Sequence, residues 1–203
     1  MSGRLDLAEI IDRAMTSEAS ALDVTRRRVR AHTPSSELMP LDSVPVAAWQ
    51  MLARTCLEPN GYYLPEWELA VNASAQGRTG TSALCTWNEA SPSRLIGLMP
   101  VTSLWRACKV PLPVLVSGHP YGTLCTPVLD RDEAYAAAAG LLEAARRTGA
   151  HALLLRDMTL DGPVMRMIGE VLNHEGLRPR VLQSYLRALS LIHISEPTRL
   201  RRI

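Results

Sequence analysis

The sequence predicts an α/β protein in which a mixed β-sheet is flanked by helices. Apolar segments of strand length alternate along the chain with segments of helical periodicity. Two of the strand segments are joined by a connection of hairpin length, whereas the later ones are separated by whole helices. A hairpin followed by strand, helix, strand, helix and strand places antiparallel and parallel neighbours in one sheet. The 203-residue chain is long enough for one such domain with a substantial core.

Residues 1–36 are predicted to form an N-terminal extension ahead of a main domain that begins near Glu37. Apolar residues at helical spacing predict an amphipathic helix over residues 5–24. A basic run at 26–30 and a breaker stretch at 33–36 follow it. The extension is interpreted as a solvated charged segment, and an arm that binds a membrane surface or a partner is the alternative.

The first half of the domain is predicted to contain three strands and two helices. In chain order they are a strand at 38–41, helices at 46–56 and 66–72, and strands at 83–87 and 95–101. The helix at 46–56 places Val46, Trp49 and Leu52 on one face. Pro59 and the pair Asn60-Gly61 indicate a turn between the two helices.

The second half alternates strands with longer helices. It is predicted to contain strands at 114–117, 152–156 and 179–185 and helices at 131–147 and 163–173. Gly149 is predicted to be the C-cap of the first helix, and Pro163 occupies an early position of the second. Asp130 and Asp132 are predicted to be the N-cap and a first-turn acid of the helix at 131–147.

The last fifteen residues, 189–203, resemble translated DNA of a transposase adapter used in sequencing libraries. Residues 189–199 match one reading frame of that DNA codon by codon. Such a segment is excluded from reasoning about the fold. We therefore expect the native domain to span 37–188 and to be the front part of a longer protein. A genuine polar tail is the alternative.

Net charge gives no support for a nucleic-acid partner. The chain has 22 basic and 20 acidic side chains, and residues 189–203 contribute three arginines and one glutamate. The remainder therefore carries 19 basic and 19 acidic side chains, a net charge of zero. A nucleic-acid-binding surface needs an excess of positive charge, so no such partner is expected.

Cysteine spacing and hydropathy indicate a cytoplasmic protein. The four cysteines, Cys56, Cys85, Cys108 and Cys125, form no CxxC pair, so neither a zinc site nor any other metal site is expected. The N-terminus lacks the pattern of a secretory signal, and no apolar run approaches the roughly 20 residues that span a bilayer. Reduced thiols and no stable membrane insertion are expected.

Three strings in order resemble one protein family. They are EPNGYYLPEW at 58–67, LIGLMPV at 95–101 and GHPYGTLCTP at 118–127. They resemble segments of the GNAT-type acetyltransferase domain of CelD/BcsL-like proteins, which are related in fold to the FemAB aminoacyltransferases. The first string has Gly61 where the family has proline and Tyr62 where it has phenylalanine. The resemblance covers about residues 37–187.

The resemblance implies a GNAT-like mixed sheet, truncated at its C-terminus, and an acyltransferase activity. Such a protein transfers an acyl group from acetyl-CoA or another acyl-CoA to an amine or hydroxyl, with exopolysaccharide or cell-envelope biosynthesis as the implied setting. The acceptor is a small molecule or glycan precursor. The CoA loop is expected in a missing C-terminal GNAT-like half, so this fragment alone is expected to bind no cofactor and to be inactive.

The residue pattern itself also indicates that a CoA loop is absent from residues 37–187. A pyrophosphate loop needs small residues at a helix N-terminus, where backbone N–H groups face the phosphates. The nearest candidate, RRTGAH at 146–151, ends a helix and has His151 at a position that requires glycine or alanine. The helix dipole there repels phosphate, so the string is interpreted as a C-cap.

Seven residues are candidates for the site. His119, in a glycine- and proline-rich loop after a strand, is the candidate catalytic base, with a turn histidine as the alternative. The candidate substrate-binding residues are Tyr63, Trp67, Tyr121, Thr123 and Asp157. Tyr62 is a further candidate for an acceptor groove. For each of them a role in packing, turns or capping is the alternative, and Cys125 is interpreted as a buried small hydrophobe rather than a nucleophile paired with His119.

Two other functions remain open. A FemAB-like aminoacyltransferase needs a basic surface for tRNA, which a net charge of zero does not support. A non-catalytic GNAT-like module would bind a substrate or partner without CoA, and the absence of a CoA loop favours it.

Overall fold

The computed structural model describes residues 34–75, 80–89, 93–118 and 121–185 of the chain. The predicted N-terminal helix, His119 and the segment 189–203 lie outside these residues.

The described residues form an α/β fold with a mixed sheet, as predicted, and the structure has six strands and five helices in this part of the chain. The elements in chain order are β1 (Ser35–Pro40), α1 (Val46–Thr55), α2 (Pro65–Ser74), β2 (Ser82–Asn88), β3 (Arg94–Ser103), α3 (Leu104–Cys108), β4 (Val114–Ser117), β5 (Val128–Leu129), α4 (Ala134–Arg147), β6 (Ala152–Leu154) and α5 (Pro163–His174). Short 3-10 helices lie at Leu41–Ser43 and Gly61–Tyr63.

The strands follow the order β1-β2-β3-β4-β6, with β5 paired to β3. Neighbouring strands are antiparallel except for β4 and β6, which are parallel with Val116 opposite Leu154. Parallel neighbours end at the same edge of a sheet. The chain therefore leaves β4 and β6 on the same side, and the loops that follow them meet there.

Helices cover both faces of the sheet because successive side chains of a strand point to opposite faces. Leu84 and Met99 belong to a core cluster that includes residues of α4 and α5. Cys85 and Leu98 belong to a second cluster that includes residues of α1 and Tyr63. The central strands are thus buried on both sides, which explains why β3 is an almost continuous apolar run.

Two helices begin at a proline, as expected for a residue with a fixed φ and no N–H to donate. Pro65 starts α2 and Pro163 starts α5. The predicted C-cap is off by one residue, because Thr148 is the C-cap of α4 and Gly149 follows it with a φ of 78°, its N–H donating to Arg146 O at 3.0 Å. The string at 146–151 therefore ends α4 as predicted.

One predicted strand is wrong. Residues 177–185 have no regular secondary structure, although residues 179–185 were predicted to be a strand. A strand needs a hydrogen-bonded neighbour, and none of the described strands pairs with this segment. The short elements α3 and β5 were not predicted, since five and two residues are too few for a periodicity to be read.

The predicted N-cap of α4 is also wrong. The helix begins at Ala134, and Glu133 rather than Asp130 precedes it. Asp132 therefore lies before the helix and is not a first-turn acid, as it was predicted to be. Asp130 is fully buried and accepts a hydrogen bond from Asp132 N at 3.0 Å, so its carboxylate turns the chain before the helix.

Candidate functional site

Two loops converge at the shared end of the parallel strands. The loop after β4 and the loop after β6 are joined by the Cys125 N–H, which donates to Asp157 O at 3.1 Å. Arg156 N also donates to Ser117 Oγ at 3.0 Å. In open α/β sheets, ligands bind outside the carboxyl ends of parallel strands, so this edge is the first place to look for a site.

Gly118 permits the close approach of the first loop to its own later residues. Its φ of 86° lies in the left-handed region, and a Cβ on it would overlap Cys125 Sγ. Only glycine combines this backbone conformation with the space available. The turn after β4 therefore depends on the absence of a side chain at this position.

Aromatic side chains reach the same edge from the 3-10 helix before α2 and from the start of α2 itself. Tyr62 lies in the 3-10 helix Gly61–Tyr63, and its ring meets the ring of Trp67 edge to face at a centroid distance of 5.9 Å. Trp67 is 42 % exposed and Tyr62 is half-buried. The pair presents an aromatic surface with a phenolic hydroxyl to solvent.

Thr123 joins this aromatic pair to the loop after β4. Its hydroxyl donates to the Tyr62 hydroxyl, with the two oxygens 3.2 Å apart. Gly122 lies against the Tyr62 ring, since a Cβ at this position would be 3.6 Å from Tyr62 Cβ. We call Tyr62, Trp67, Thr123 and Asp157 the strand-end cluster.

Asp157 is the member of the cluster that follows β6. Its φ of 47° is in the left-handed region, which aspartate tolerates better than most residues. Tyr185 donates its phenolic proton to Asp157 Oδ1. The carboxylate therefore holds residue 185 at the edge where the two loops meet.

The structure brings only some of the predicted site residues together. Tyr62, Trp67, Thr123 and Asp157 belong to the strand-end cluster. Tyr121 is 52 % exposed in the same loop as Thr123, whereas Tyr63 is 1 % exposed and packs in the core. His119 lies outside the described residues, and Cys125 is fully buried, as expected for a small hydrophobe.

A small pocket is lined in part by the segment between α1 and α2. Its volume is about 140 Å³, and its walls are formed by Ala53, Cys56, Pro59, Asn60, Gly61, Leu64 and Val128. Burial raises the pKa of the Cys56 thiol, so this group stays protonated at neutral pH. A thiolate nucleophile is therefore absent from these walls.

Asn60 connects the parts of the site and was missed as a functional residue. The sequence indicated only a turn at Asn60-Gly61, because the long-range partners of its side chain have no local signature. In the structure its Oδ1 accepts from Tyr62 N at 3.0 Å, and its Nδ2 donates to Thr126 O at 2.8 Å.

The described residues hold no group of three or more histidine, cysteine, aspartate or glutamate side chains that could bind a metal ion. None of the helices in the described part of the chain is long and apolar enough to cross a membrane.

Comparison with known proteins gives no match: no protein family, curated protein or solved structure resembles this chain significantly. The strand-end cluster must therefore be interpreted from its chemistry.

Proposed function

We propose that this chain is the acceptor-binding half of a GNAT-like acyltransferase that transfers an acyl group from acyl-CoA to an amine or hydroxyl. The observation that carries the proposal is the contact between the Tyr62 and Thr123 hydroxyls, in a loop that the main-chain hydrogen bond from Cys125 N to Asp157 O joins to the chain after β6. A single parallel pair within an otherwise antiparallel sheet supports a GNAT-like core.

The strand-end cluster has the chemistry that a polyhydroxylated acceptor requires. The Tyr62 and Thr123 hydroxyls can each donate and accept a hydrogen bond, and Asp157 offers carboxylate oxygens. The exposed face of Trp67 provides an apolar surface on which a sugar ring can lie. An acceptor bound here is a glycan precursor or another small polar molecule.

In the proposed reaction the acceptor nitrogen or oxygen attacks the acyl carbonyl. The new C–N or C–O bond forms as the acyl carbon–sulfur bond breaks, and the sulfur leaves as the CoA thiolate. The proton of the acceptor passes to a general base, for which His119 is the candidate. Tyr62 and Thr123 orient the acceptor by hydrogen bonds.

The CoA-binding part is proposed to lie in a second GNAT-like half encoded beyond Ala188. The string at 146–151 caps the C-terminus of α4, where carbonyl groups and the negative end of the helix dipole disfavour phosphate. CoA would supply the activated thioester. The 203-residue chain is accordingly expected to bind acceptors but neither acetyl-CoA nor free CoA.

Acceptor binding by this chain can be tested with ¹⁵N-labelled protein and three probes: glucosamine, cellobiose and lysine. We expect at least one hydroxyl- or amine-bearing probe to shift the amide signals of Tyr62, Thr123 and Asp157. Removal of one hydrogen-bonding hydroxyl in Tyr62→Phe should weaken binding by roughly five- to tenfold. Tyr135→Phe, which removes a hydroxyl from α4, is the matched control and should bind like the wild type.

No probe-dependent shift at the strand-end cluster would count against an acceptor site. Equal affinities of Tyr62→Phe and wild type would show that any binding occurs elsewhere.

A non-catalytic binding module is the second candidate, favoured by the absence of a CoA-type loop from the described residues. The two proposals differ in one property of a protein expressed from the uninterrupted gene. An enzyme binds acetyl-CoA and transfers its acetyl group, whereas a module binds only the acceptor.

A further inference from the structure

Asn60 occupies the centre of the contacts that hold the strand-end cluster together. The residue is 5 % exposed, and it lies between α1 and the 3-10 helix that carries Tyr62. Its carboxamide contacts backbone groups from two segments that are more than sixty residues apart in the chain. A buried side chain with this many partners fixes the relative position of the segments that it joins.

Both ends of the Asn60 carboxamide are used. Oδ1 accepts from Tyr62 N at 3.0 Å, which caps the 3-10 helix. Nδ2 donates to Leu124 O at 3.3 Å and to Thr126 O at 2.8 Å. Only asparagine among side chains of this size supplies one acceptor and two donors in this arrangement.

The loop residues held by Asn60 directly follow Thr123. The Cys125 N–H, between the two carbonyls that Asn60 binds, donates to Asp157 O at 3.1 Å. The Asn60 side chain and the Asp157 carbonyl therefore both bind the backbone of residues 124–126. A shift of this stretch would move the Thr123 hydroxyl away from the Tyr62 hydroxyl, 3.2 Å distant.

The two residues before Pro59 anchor the segment that carries Asn60 to α5 and β5. Glu58 Oε2 accepts from Val164 N at 3.4 Å, close to the N-terminus of that helix, where a carboxylate is favourable. Leu57 N donates to Leu129 O at 2.8 Å. The segment 57–60 is thus fixed at several points, and the Asn60 side chain meets the loop from a rigid support.

We propose that Asn60 is a positioning residue, which sets the place of Thr123 relative to Tyr62 in the strand-end cluster. Its importance for ligand binding rests on the proposed function, whereas its effect on the loop does not. The two can therefore be measured separately.

The test uses Asn60→Asp and Asn60→Ala, with hydrogen exchange of the Cys125 amide as the readout. In Asn60→Asp a carboxylate oxygen replaces the amide donor and faces two carbonyl oxygens. We expect the protection factor of the Cys125 amide to fall by about tenfold or more at pH 8 in both variants, since two hydrogen bonds are lost. Acidification should partly restore protection in Asn60→Asp, because a protonated carboxyl regains a donor, but not in Asn60→Ala.

Asn72→Asp is the matched control, since Asn72 is also buried and its Oδ1 accepts from Thr81 N at 3.1 Å, away from the cluster. It should leave the Cys125 amide unchanged at both pH values. Unchanged protection in Asn60→Asp would overturn the proposal. So would an equal, pH-independent loss in Asn60→Asp and Asn72→Asp, which would indicate general destabilisation.

Acceptor binding separates this inference from the proposed function. If Asn60→Asp loosens the loop and weakens glucosamine or cellobiose binding in parallel, both are supported. If the loop responds as expected and the wild type binds none of the probes, Asn60 positions the loop while the proposed acceptor site is wrong.

Discussion

At the scale of single residues, the buried carboxylate of Asp130 is held by partners from two other elements. Its side chain is 1 % exposed and accepts from Arg94 Nη1 at 3.0 Å and from Thr55 Oγ1 at 2.6 Å. Arg94 also binds Glu133 at 2.7 Å, and this hydrogen bond raises the pKa of the guanidinium. A buried carboxylate is tolerated only with such partners, so these contacts tie together the ends of α1, β3 and β5.

Arg94→Met is expected to destabilise the protein by about 2 kcal/mol, because it leaves the Asp130 carboxylate buried without its cation. The estimate lies below that for a fully buried pair, since the Arg94 side chain is 36 % exposed. Urea unfolding measures the free energy of unfolding. Arg147→Met is the control, as Arg147 is 56 % exposed and should contribute less than about 0.5 kcal/mol. Equal values for the two variants would contradict this account.

At the scale of elements, α4 packs against the sheet through a glycine. A Cβ on Gly140 would overlap Ser36 Oγ in β1 and Thr86 Cγ2 in β2. Glycine inside a helix lowers its stability by roughly 0.5–1 kcal/mol relative to alanine. The close approach of helix and sheet requires it here, so tertiary packing outweighs helix propensity.

Gly140→Ala should therefore destabilise the protein by about 1–3 kcal/mol, as overpacking does, despite the gain in helix propensity. Gly169→Ala in α5 is the matched control, because a Cβ there meets no atom within 4 Å. It should leave stability unchanged or raise it by up to about 1 kcal/mol. Thermal and urea unfolding of both variants give the comparison, and a stabilising Gly140→Ala would refute the packing.

The ends of α4 and α5 are joined by an ion pair that predicts a dependence on pH. Arg146 Nη1 donates to Glu175 Oε1 at 3.0 Å, and this hydrogen bond lowers the pKa of the glutamate below its ordinary value of 4.5. A carboxyl with a lowered folded-state pKa stabilises the fold fully above its ordinary pKa and loses this contribution as pH falls through the lower value.

Glu175→Gln should thus lower Tm at pH 7. The difference in Tm from the wild type should become smaller as the pH falls below about 4.5. Glu143→Gln, which removes longer contacts of 4.0 and 3.7 Å to Arg146 and Arg147, should change Tm less at pH 7. A difference between wild type and Glu175→Gln that stays constant from pH 7 to pH 3 would show that the ion pair contributes nothing.

The sequence predicted those elements that are marked by residues within or next to them. Pro163 and Gly149 signalled the start of α5 and the end of α4, and the apolar segments of strand length around Leu84 and Leu98 signalled two central strands. The apolar residues within 179–185 also suggested a strand, yet the segment forms no strand among the described residues, because pairing depends on a neighbour that local sequence does not reveal.

The candidate site was only partly predictable for the same reason. Trp67, Thr123 and Asp157 follow recognisable turns or strand ends, so their residue types and places could be read. The contacts of Asn60 with Leu124 and Thr126 depend on the folded chain, and no spacing predicts them. Tyr62 and Tyr63 are both tyrosines, so residue type did not distinguish them. Tyr63 packs in the core although it is only one position further along the chain.

At the scale of the whole molecule, the sheet topology brings distant segments to one edge. Because β4 and β6 are parallel neighbours, the loops that follow them meet at this edge. The segment before α2 that carries Tyr62 contacts the loop after β4 there. The proposed function assigns this edge to the acceptor and a second half of the protein to acyl-CoA.

The most direct test is acetyl transfer from radiolabelled acetyl-CoA by the protein expressed from the uninterrupted gene, with glucosamine and cellobiose as acceptors. We expect labelled acceptor with the wild type. We also expect a loss of roughly tenfold or more in kcat/KM with Thr123→Val, and activity close to wild type with Tyr135→Phe. A protein that binds these acceptors at the strand-end cluster but neither binds nor consumes acetyl-CoA would contradict the acyltransferase and leave a binding module.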